Sequence, residues 1–343
     1  MTNPSDALAE TQVPFIAHTV RRDYLFEDSR QLLAKVFPEW NADELAFKEC
    51  KDGITNNLVQ CTNRRTDLTV LIRAYGNHTE VIIDRSQELT NMKRLADLGM
   101  CPPLYARFNN GLVYGFIPGT VATPEEMGND EWAPLIARQL AVWSQVSVPG
   151  DRQLGLFSSL RQWLSDVPQD YANVRANRIF HAHFSAAMLA QELQELERML
   201  GTVDSPVVFA HNDLLSGNIV MSEARDRVSF IDYEYAMYNY RGFDIANHFN
   251  EYAGFECDYS RYPSKERQLR WFKVYLTQLQ QDASAEALEL MYAEVQVFRL
   301  ASHYYWGVWG LVQASISEID FDYMDYARMR FDEYFRIKQQ LFG

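Results

Sequence analysis

The sequence predicts an α+β fold with two lobes, a small strand-rich lobe over residues 21–118 and a larger, mostly helical lobe over residues 119–343. The chain is 343 residues long and 47% of them are hydrophobic, and a chain of this length exceeds the size at which one core tends to split. Runs typical of strands precede Pro118-Gly119, and helical spacing dominates after it. Residues 1–20 begin with a polar stretch and are expected to be partly mobile.

Four strands and one helix are predicted in the first lobe. The strands are Ile54–Cys61, Thr69–Tyr75, Tyr105–Phe108 and Gly111–Phe116. The last two flank Asn109-Asn110, which is typical of a hairpin. The helix is Arg85–Leu98, because apolar residues recur in it at helical spacing and Gly99 follows as a stop signal.

The second lobe is predicted to hold several helices and two short strands. The helices are Trp132–Ser147, Leu160–Trp163, Ala187–Leu200, Lys265–Gln281 and Ala287–Ala314. The strands, Val207–Ala210 and Val228–Ile231, are short and apolar, and a polar segment follows each of them. Polar side chains therefore lie where strands end and loops begin, which is a frequent position for functional groups.

These two polar segments predict a phosphoryl-transfer site. Asp213 and Asn218 lie in the loop after the first strand, and Asp232 follows the second strand. Phosphoryl transfer needs a group that aims and deprotonates the nucleophilic hydroxyl, which we assign to Asp213, and oxygen ligands for Mg²⁺, which we assign to Asn218 and Asp232. Asx residues also cap ordinary turns, but the combination of three polar groups favours catalysis. His211 is interpreted as a hydrogen-bonding brace of the loop.

Charge and composition limit the classes of partner. The formal charge of −14 argues against nucleic acid or an acidic membrane surface, because both attract basic proteins, and it is compatible with a small cationic substrate. No apolar stretch is long enough to span a bilayer, so no integral membrane contact is expected. The four cysteines show no CxxC spacing, and the polar N-terminal segment does not resemble a signal peptide, which favours a cytoplasmic protein.

Two charged residues of the first lobe are candidate nucleotide contacts. Arg73 lies at the strand position where a kinase keeps its phosphate-binding Lys, and Glu88 lies on a helix that can pair with it. Arg binds phosphate in a bidentate manner, so the exchange is chemically tolerable. Residues 52–58 have the small, polar composition of a phosphate-binding loop but lack the glycine patterns of P-loops and protein kinases. Taken singly, each of these residues is more typical of a solvated surface.

The segments Phe209–Ile219 and Phe230–Glu251 resemble the choline and ethanolamine kinase family. Further matches extend across nearly the whole chain and are found at Gly53–Leu58, Val70–Gly76, Trp306–Gln313 and Tyr323–Ala327. The resemblance implies a two-lobed eukaryotic protein-kinase-like fold with ATP and Mg²⁺. It also implies transfer of the γ-phosphoryl group to the hydroxyl of a small amino alcohol in phospholipid synthesis.

The same resemblance implies roles for individual residues. Asp213 resembles the catalytic base of the family, Asn218 and Asp232 resemble its metal ligands, and Arg73 resembles its phosphate contact. The nucleotide-binding candidates are Gly53, Thr55, Asn56, Asn57, Arg73, Glu88, Gly115, Phe116 and Ile117. The adenine is expected against the last three.

An aromatic and acidic pocket for the substrate is predicted after the catalytic loop, because aromatic faces and carboxylates recognise ammonium groups. The candidate substrate contacts are Asp213, Glu234, Tyr235, Glu251, Trp306, Trp309, Tyr323 and Tyr326. Aromatic residues at helical spacing, such as Trp306 and Trp309, are by themselves more often core. Together with the motifs they favour a cage for a cation.

The choice between the two amino alcohols stays open at this point. Leu214-Leu215 and the segment His248–Gly254 look more like ethanolamine kinases, whereas Ser216–Asn218 and the aromatic segments after residue 300 resemble choline kinases. We expect an ethanolamine kinase, with choline as an open second substrate. An aminoglycoside or sugar phosphotransferase and a catalytically silent scaffold are the alternatives from other classes. A homodimer is also left open.

Overall fold

The computed structural model describes residues 13–50, 56–76, 82–149 and 152–343. The chain divides into two compact units with the bounds Met1–Pro118 and Gly119–Gly343. The first unit is built on one large sheet, and the second is mostly helical. This architecture agrees with the α+β class expected from the sequence.

The sheet of the first unit has six strands. They are β1 Phe15–Ile16, β2 Leu45–Cys50, β3 Asn56–Asn63, β4 Leu68–Tyr75, β5 Leu104–Phe108 and β6 Gly111–Gly115. Their order is β1-β5-β6-β4-β3-β2, with β1 parallel to β5 and the other neighbours antiparallel. A Cβ atom at Gly111 would overlap the carbonyl oxygen of Arg73, so β6 can approach β4 this closely only with glycine at the start of the strand.

Two helices are described in this unit, α1 Leu25–Val36 and α2 Arg85–Asp97. The sequence analysis predicted α2 and its stop at Gly99, which has a left-handed φ of 69°. It missed α1, although Leu25, Leu32 and Leu33 are buried at helical spacing in this helix. The helix also buries Asp28, which accepts two hydrogen bonds of 2.8 Å from the Arg21 guanidinium.

The second unit contains short strands and many helices. The strands are β7 Thr120–Val121, β8 Val207–Ala210, β9 Ile219–Met221, β10 Val228–Phe230 and β11 Met237–Tyr240. The helices are α3 Pro124–Met127, α4 Trp132–Trp143, α5 Leu156–Asp166, α6 Val174–His183, α7 Ala186–Leu200, α8 Arg241–Asn250, α9 Lys265–Gln278, α10 Ala285–Ile316 and α11 Tyr323–Phe342. The sequence analysis missed α3, α6, α8 and α11. In helix α8 all residues from Gly242 to Asn250 are buried, polar ones included.

Two small sheets place the polar loops of the second unit. Strand β8 pairs antiparallel with β11, while β9 pairs with both β7 and β10. Because β8 ends at Ala210 and β10 ends at Phe230, the loop of Asp213 and the turn of Asp232 both begin where a paired strand ends. The predicted strands at Val207 and Val228 are thus confirmed.

Helix α10 is the longest of the described part of the chain. It runs for 32 residues, and every residue from Phe298 to Gln313 is buried. A helix buried on all sides belongs to the core of its unit. Within the described ranges we find no helix with both the length and the apolar character needed to span a bilayer.

Candidate active site

The loop that follows β8 carries Asp213, which is 8% exposed. Two residues near it have left-handed backbone conformations, Asn212 with a φ of 66° and Asp232 with a φ of 61°. Non-glycine residues rarely adopt this conformation unless surrounding contacts enforce it. The contacts of Asn212 are therefore informative about the site.

Asp244 in the first turn of α8 braces this loop. Its carboxylate accepts hydrogen bonds from the backbone N–H groups of His211 (3.0 Å) and Asn212 (2.8 Å). Burial raises the pKa of Asp244 to about 6, and the two backbone donors act in the opposite direction. Sequence reasoning gave Asp244 no role. The available signal was its place in the segment Phe230–Glu251, four positions after Tyr240, where β11 ends.

The side chain and carbonyl of Asn212 are held at three points. Its Nδ2 donates to the carbonyl oxygen of Tyr235 (2.9 Å), and its Oδ1 accepts from Nδ2 of Asn239 (2.7 Å). Its backbone carbonyl accepts from Nδ2 of Asn247 (3.0 Å). These buried bonds compensate the strained φ of Asn212 and fix the backbone immediately before Asp213.

Asn218 and Asp213 are joined directly. Nδ2 of Asn218 donates to the backbone carbonyl (2.8 Å) and to Oδ2 (3.0 Å) of Asp213. The backbone N–H of Ile231 donates to the carbonyl of Asn218 (3.0 Å), which places the next residue, Asp232, beside this loop. The structure therefore brings together all three residues that the sequence assigned to catalysis and metal binding.

The electrostatics around Asp213 favour a bound cation. Burial raises the pKa of Asp213 well above its usual range, and the negative charges of Asp232, Glu251 and Glu234 raise it further. The amide nitrogen of Asn218 contacts Asp213. The amide oxygen of Asn218 is therefore not used in this contact. An amide oxygen and a carboxylate are the ligands that Mg²⁺ prefers. Among the described residues, no group of three or more His, Cys, Asp or Glu side chains is arranged for a metal.

His211 has the role expected from the sequence, a brace of the loop. Its Nε2 lies 3.0 Å from the carbonyl oxygen of Ile231, and its Nδ1 accepts a long hydrogen bond of 3.4 Å from the N–H of Asp213. Burial lowers the pKa of His211 to about 4, so the ring is neutral at pH 7 and Nε2 carries the hydrogen. The ring links the loop of Asp213 to the turn that leads to Asp232.

The five aromatic cage candidates lie together. We call Tyr235, Trp306, Trp309, Tyr323 and Tyr326 the aromatic cluster. Ring centroids are 5.2 Å apart for Tyr235 and Trp306 and 5.4 Å apart for Trp306 and Trp309, and both pairs meet edge to face. The indole N–H of Trp309 donates to the hydroxyl oxygen of Tyr235 (2.8 Å). Tyr235 follows Glu234 in sequence, so the cluster adjoins one of the acidic residues that raise the pKa of Asp213.

Glu251 has a buried partner that sequence reasoning missed. Arg330 in α11 donates to Oε1 of Glu251 (2.7 Å) and to the hydroxyl oxygen of Tyr326 (3.3 Å). Glu251 and Arg330 are 6% and 1% exposed. The Glu251 carboxylate is thus already compensated by a guanidinium, which was not expected when Glu251 was assigned to the substrate.

The first unit contains a group of charged side chains. Arg73 of β4 and Glu88 of α2 are both buried and form an ion pair, and Arg85 also contacts Glu88 at 3.0 Å. The Arg85 guanidinium lies over the ring of Tyr75, 4.0 Å from its centroid. The structure thus brings Arg73 and Glu88 together, and sequence reasoning missed Arg85.

The remaining nucleotide candidates are placed unevenly. Gly53 and Thr55 lie outside the described residues, as does the side chain of Asn56. Asn57 lies in β3 opposite Ala74, and Gly115 ends β6. Phe116 follows it and is 37% exposed, and Ile117 is half-buried.

Known proteins with similar sequences are kinases of amino alcohols. The sequence pattern of the family described as choline/ethanolamine kinase matches residues 47–335. Ethanolamine kinase 2 of Mus musculus is 38% identical over 333 residues, which cover 96% of this chain and 86% of the mouse protein. Ethanolamine kinase 1 of Homo sapiens is 38% identical over 326 residues, which cover 92% of this chain and 72% of the human protein.

Solved structures agree. An ethanolamine kinase from Plasmodium vivax matches with a TM-score of 0.83 and 28% identity, over 97% of this chain and 94% of that one. A choline kinase from Cryptosporidium parvum matches with a TM-score of 0.74 and 25% identity, over 92% of this chain and 96% of that one. These matches confirm the predicted two-lobed kinase-like fold class and the family resemblance found in the motifs. The chain belongs to the choline/ethanolamine kinase family.

Proposed function

We propose that this chain is an ethanolamine kinase, which transfers the γ-phosphoryl group of ATP to the hydroxyl of ethanolamine. The observation that carries the proposal is the direct contact of Asp213 with Asn218 inside a buried acidic site that adjoins the aromatic cluster. The relatives named ethanolamine kinase, at 38% identity over most of the chain, support the choice of substrate.

Asp213 acts on the substrate hydroxyl in this proposal. The hydroxyl oxygen forms a bond to the γ-phosphorus while the bond from that phosphorus to the bridging oxygen of ADP breaks, and the hydroxyl proton passes to the carboxylate of Asp213. A carboxylate whose pKa is raised by burial and by neighbouring charges is a stronger base than one in water. The hydrogen bond from Asn218 holds the carboxylate in place, which favours in-line positioning.

Asn218 and Asp232 are the proposed ligands of Mg²⁺. The metal, when bound, neutralises charge on the phosphates of ATP. The acidic field at Asp213 supports the assignment, because a divalent cation lowers the cost of holding Asp232 and Asp213 ionised side by side.

Residues of the first unit are the proposed nucleotide contacts. Arg73 supplies a guanidinium for a phosphate, and Glu88 orients it through their ion pair. The segment of Gly53, Thr55, Asn56 and Asn57 approaches the phosphates in this proposal, and Gly115, Phe116 and Ile117 contact the adenine. The family resemblance supports these assignments.

The ammonium group of the substrate is proposed to bind between the aromatic cluster and acidic residues. A primary ammonium has three N–H donors, and Glu234 supplies an acceptor of the right charge, while Asp213 contacts the hydroxyl at the other end of the substrate. Because Arg330 compensates Glu251, we assign Glu251 to the wall of this pocket, where it holds Arg330 against Tyr326.

Choline is the second candidate substrate, and the aromatic cluster favours it. A trimethylammonium group has no N–H donor and is recognised by aromatic faces. Five aromatic side chains in mutual contact are compatible with such a group. An aminoglycoside phosphotransferase is disfavoured, because such a substrate needs a wide acidic cleft rather than an aromatic enclosure.

Steady-state turnover tests the proposal. ADP release is measured with purified protein, ATP and Mg²⁺, and with ethanolamine, N-methylethanolamine or choline side by side. We expect the highest kcat/KM with ethanolamine and lower values as methyl groups are added. Turnover with ethanolamine no faster than the ATPase background would overturn the proposal, and a higher kcat/KM with choline would replace ethanolamine by choline as the main substrate.

A further inference from the structure

One buried side chain, Asn247 of α8, connects the loop of Asp213 to the aromatic cluster. Its Nδ2 donates to the carbonyl oxygen of Asn212 (3.0 Å). Its Oδ1 accepts from the indole N–H of Trp306 (2.7 Å) and from the hydroxyl of Ser302 (2.8 Å). Asn247 is fully buried. Both acceptor positions of its oxygen are therefore occupied, and the amide cannot rotate without losing three buried hydrogen bonds.

The bond to Asn212 acts on the catalytic aspartate through a rigid group. The carbonyl of Asn212 and the N–H of Asp213 belong to the same planar peptide unit. A hydrogen bond that fixes this carbonyl also fixes the direction of the Asp213 N–H and of its Cα. Asn212 has a left-handed φ of 66°, a conformation that costs free energy for most non-glycine residues and that its buried hydrogen bonds help to hold.

The bonds on the other side of the amide fix the aromatic cluster. Trp306 contacts Tyr235 and Trp309 edge to face. Ser302 also accepts a hydrogen bond of 3.1 Å from Arg330, the partner of Glu251. The amide of Asn247 thus lies between the group proposed to take the proton of the substrate and the wall proposed to hold its ammonium.

We propose that Asn247 is a positioning residue that sets the separation between the base and the aromatic wall, and so selects amino alcohols with two carbons between nitrogen and oxygen. The inference rests on the proposed function. Ethanolamine has its reacting hydroxyl and its ammonium at opposite ends of a short chain, so both ends are placed correctly only when Asp213 and Trp306 keep a fixed separation. A small misplacement of reacting groups costs a large factor in rate.

A double-mutant cycle tests the connection. The single variants are Asn247→Ala, which removes the bridge, and Trp306→Phe, which keeps an aromatic ring but removes the indole donor. If the two residues act through one bridge, the fold-reduction of kcat in the double variant is smaller than the product of the two single fold-reductions. We expect the two values to differ by roughly 3-fold to 100-fold. Asn247→Ala is also expected to reduce the preference for ethanolamine over 3-aminopropan-1-ol.

Asn239 provides the matched control. It is another buried asparagine that bonds to Asn212, but it does so through the side chain of Asn212, and its Oδ1 accepts from the N–H of Tyr240. Asn239→Ala should lower kcat. When it is combined with Trp306→Phe, the fold-reduction of kcat in the double variant should equal the product of the two single fold-reductions within about twofold. Its preference for ethanolamine over the longer amino alcohol should match that of the wild type.

Asn247→Asp is the second variant, for the case in which the alanine variant does not fold. The carboxylate keeps the acceptors for Trp306 and Ser302, loses the donor to Asn212 and places a negative charge opposite that carbonyl oxygen. The bridge is thus broken on the side of Asn212, and the same cycle with Trp306→Phe applies. Suppose that the wild type turns over ethanolamine. This inference alone would then be overturned if the single losses of kcat simply multiplied in the double variant, or if the Asn247 variants kept the wild-type preference for ethanolamine over 3-aminopropan-1-ol. Absence of ethanolamine turnover in the wild type would instead overturn the proposed function.

Discussion

Arg330 donates a hydrogen bond of 2.7 Å to the carboxylate of Glu251, and neither residue is more than 6% exposed. The same guanidinium bonds the hydroxyl of Tyr326 and the carbonyl and hydroxyl of Ser302. Interactions with Tyr326 and Glu251 raise the pKa of Arg330 further above its usual range, although burial opposes them. The guanidinium therefore stays charged, and its bond to Glu251 ties α11 to the residue that follows α8.

The first prediction concerns the stability that this pair contributes. Glu251→Gln should lower the free energy of unfolding by about 3–5 kcal/mol, because it leaves a buried guanidinium without its counter-charge. Urea unfolding at pH 7.5 measures the change. The double variant Glu251→Gln/Arg330→Met should recover part of the loss, since it removes both charges. If Glu251→Gln unfolded like the wild type and raised only the KM for ethanolamine, Glu251 would contact the substrate as the sequence first suggested.

Sequence reasoning succeeded where the signal is local. Asp213 and Asn218 lie in one loop, and the strand before Asp232 is short and apolar, so spacing alone indicated a shared site. The partners that hold this site are distant in sequence. Asp244 is 32 positions from Asn212, and Arg330 is 79 positions from Glu251. No spacing rule reaches that far, because tertiary packing decides such pairs.

The secondary structure shows the same contrast between local signals and distant partners. The strand at Val207–Ala210 has the predicted bounds, and the helix predicted at Ala287–Ala314 extends over Ala285–Ile316. Helix Arg241–Asn250 was not predicted, and it contains the buried polar residues Asp244, Asn247 and His248. Each of them bonds to the loop around Asp213, and no local pattern indicates partners that lie so far away in the sequence.

The second prediction concerns the base. Asp213→Asn should lower kcat by several orders of magnitude with little change in the KM for ATP, because the lost interaction matters mainly in the transition state. The amide still accepts the hydrogen bond of Asn218, so the loop should keep its structure. Steady-state kinetics with ethanolamine measure both constants. Asp204→Asn, a change at an exposed carboxylate of the same unit, should leave them unaltered. A near-normal kcat for Asp213→Asn would remove Asp213 from its proposed role.

The third prediction concerns the metal. Asp232→Ala should abolish activity, and high Mg²⁺ should rescue it poorly, because a charged ligand is missing rather than weakened. Turnover is measured over a range of Mg²⁺ concentrations. Asp226→Ala, which removes an exposed carboxylate bonded to Ser222, should show the Mg²⁺ dependence of the wild type. Complete rescue of Asp232→Ala at high Mg²⁺ would make Asp232 peripheral.

The fourth prediction concerns substrate choice. Trp309→Ala would leave a cavity and cost about 3–5 kcal/mol of stability, so Trp309→Phe is the sharper change. The smaller ring binds a cation less well than indole, so we expect the KM for choline to rise more than that for ethanolamine. The difference between the two changes should correspond to roughly 0.5–1 kcal/mol of binding free energy. Trp271→Phe, at a buried tryptophan stacked on Tyr275, should not separate the two substrates. Equal changes in both KM values for Trp309→Phe would place the cation elsewhere.

One part of the pH dependence of stability comes from a buried histidine. His248 of α8 is fully buried, and its Nδ1 lies 3.1 Å from the carbonyl oxygen of Leu214, in the loop of Asp213. Burial lowers its pKa from 6.5 to about 4, and the bond to Leu214 opposes this shift. Between these two values the unfolded chain binds more protons than the folded one at this site. Stability from the neutral ring is therefore fully present above pH 6.5 and is lost as the pH falls toward 4.

The last prediction isolates this contribution with His248→Gln. The glutamine amide can still donate to Leu214 but does not titrate, so the wild type should lose stability relative to the variant by about 1.4 kcal/mol per pH unit below 6.5. Between pH 6.5 and 5 the difference between the two unfolding free energies should change by about 2 kcal/mol. His211 and Asp244, whose pKa values are shifted to about 4 and about 6, are present in both proteins, and their contributions cancel. Urea unfolding at the two pH values measures the change, and a constant difference would mean that His248 is accessible to protons in the folded protein.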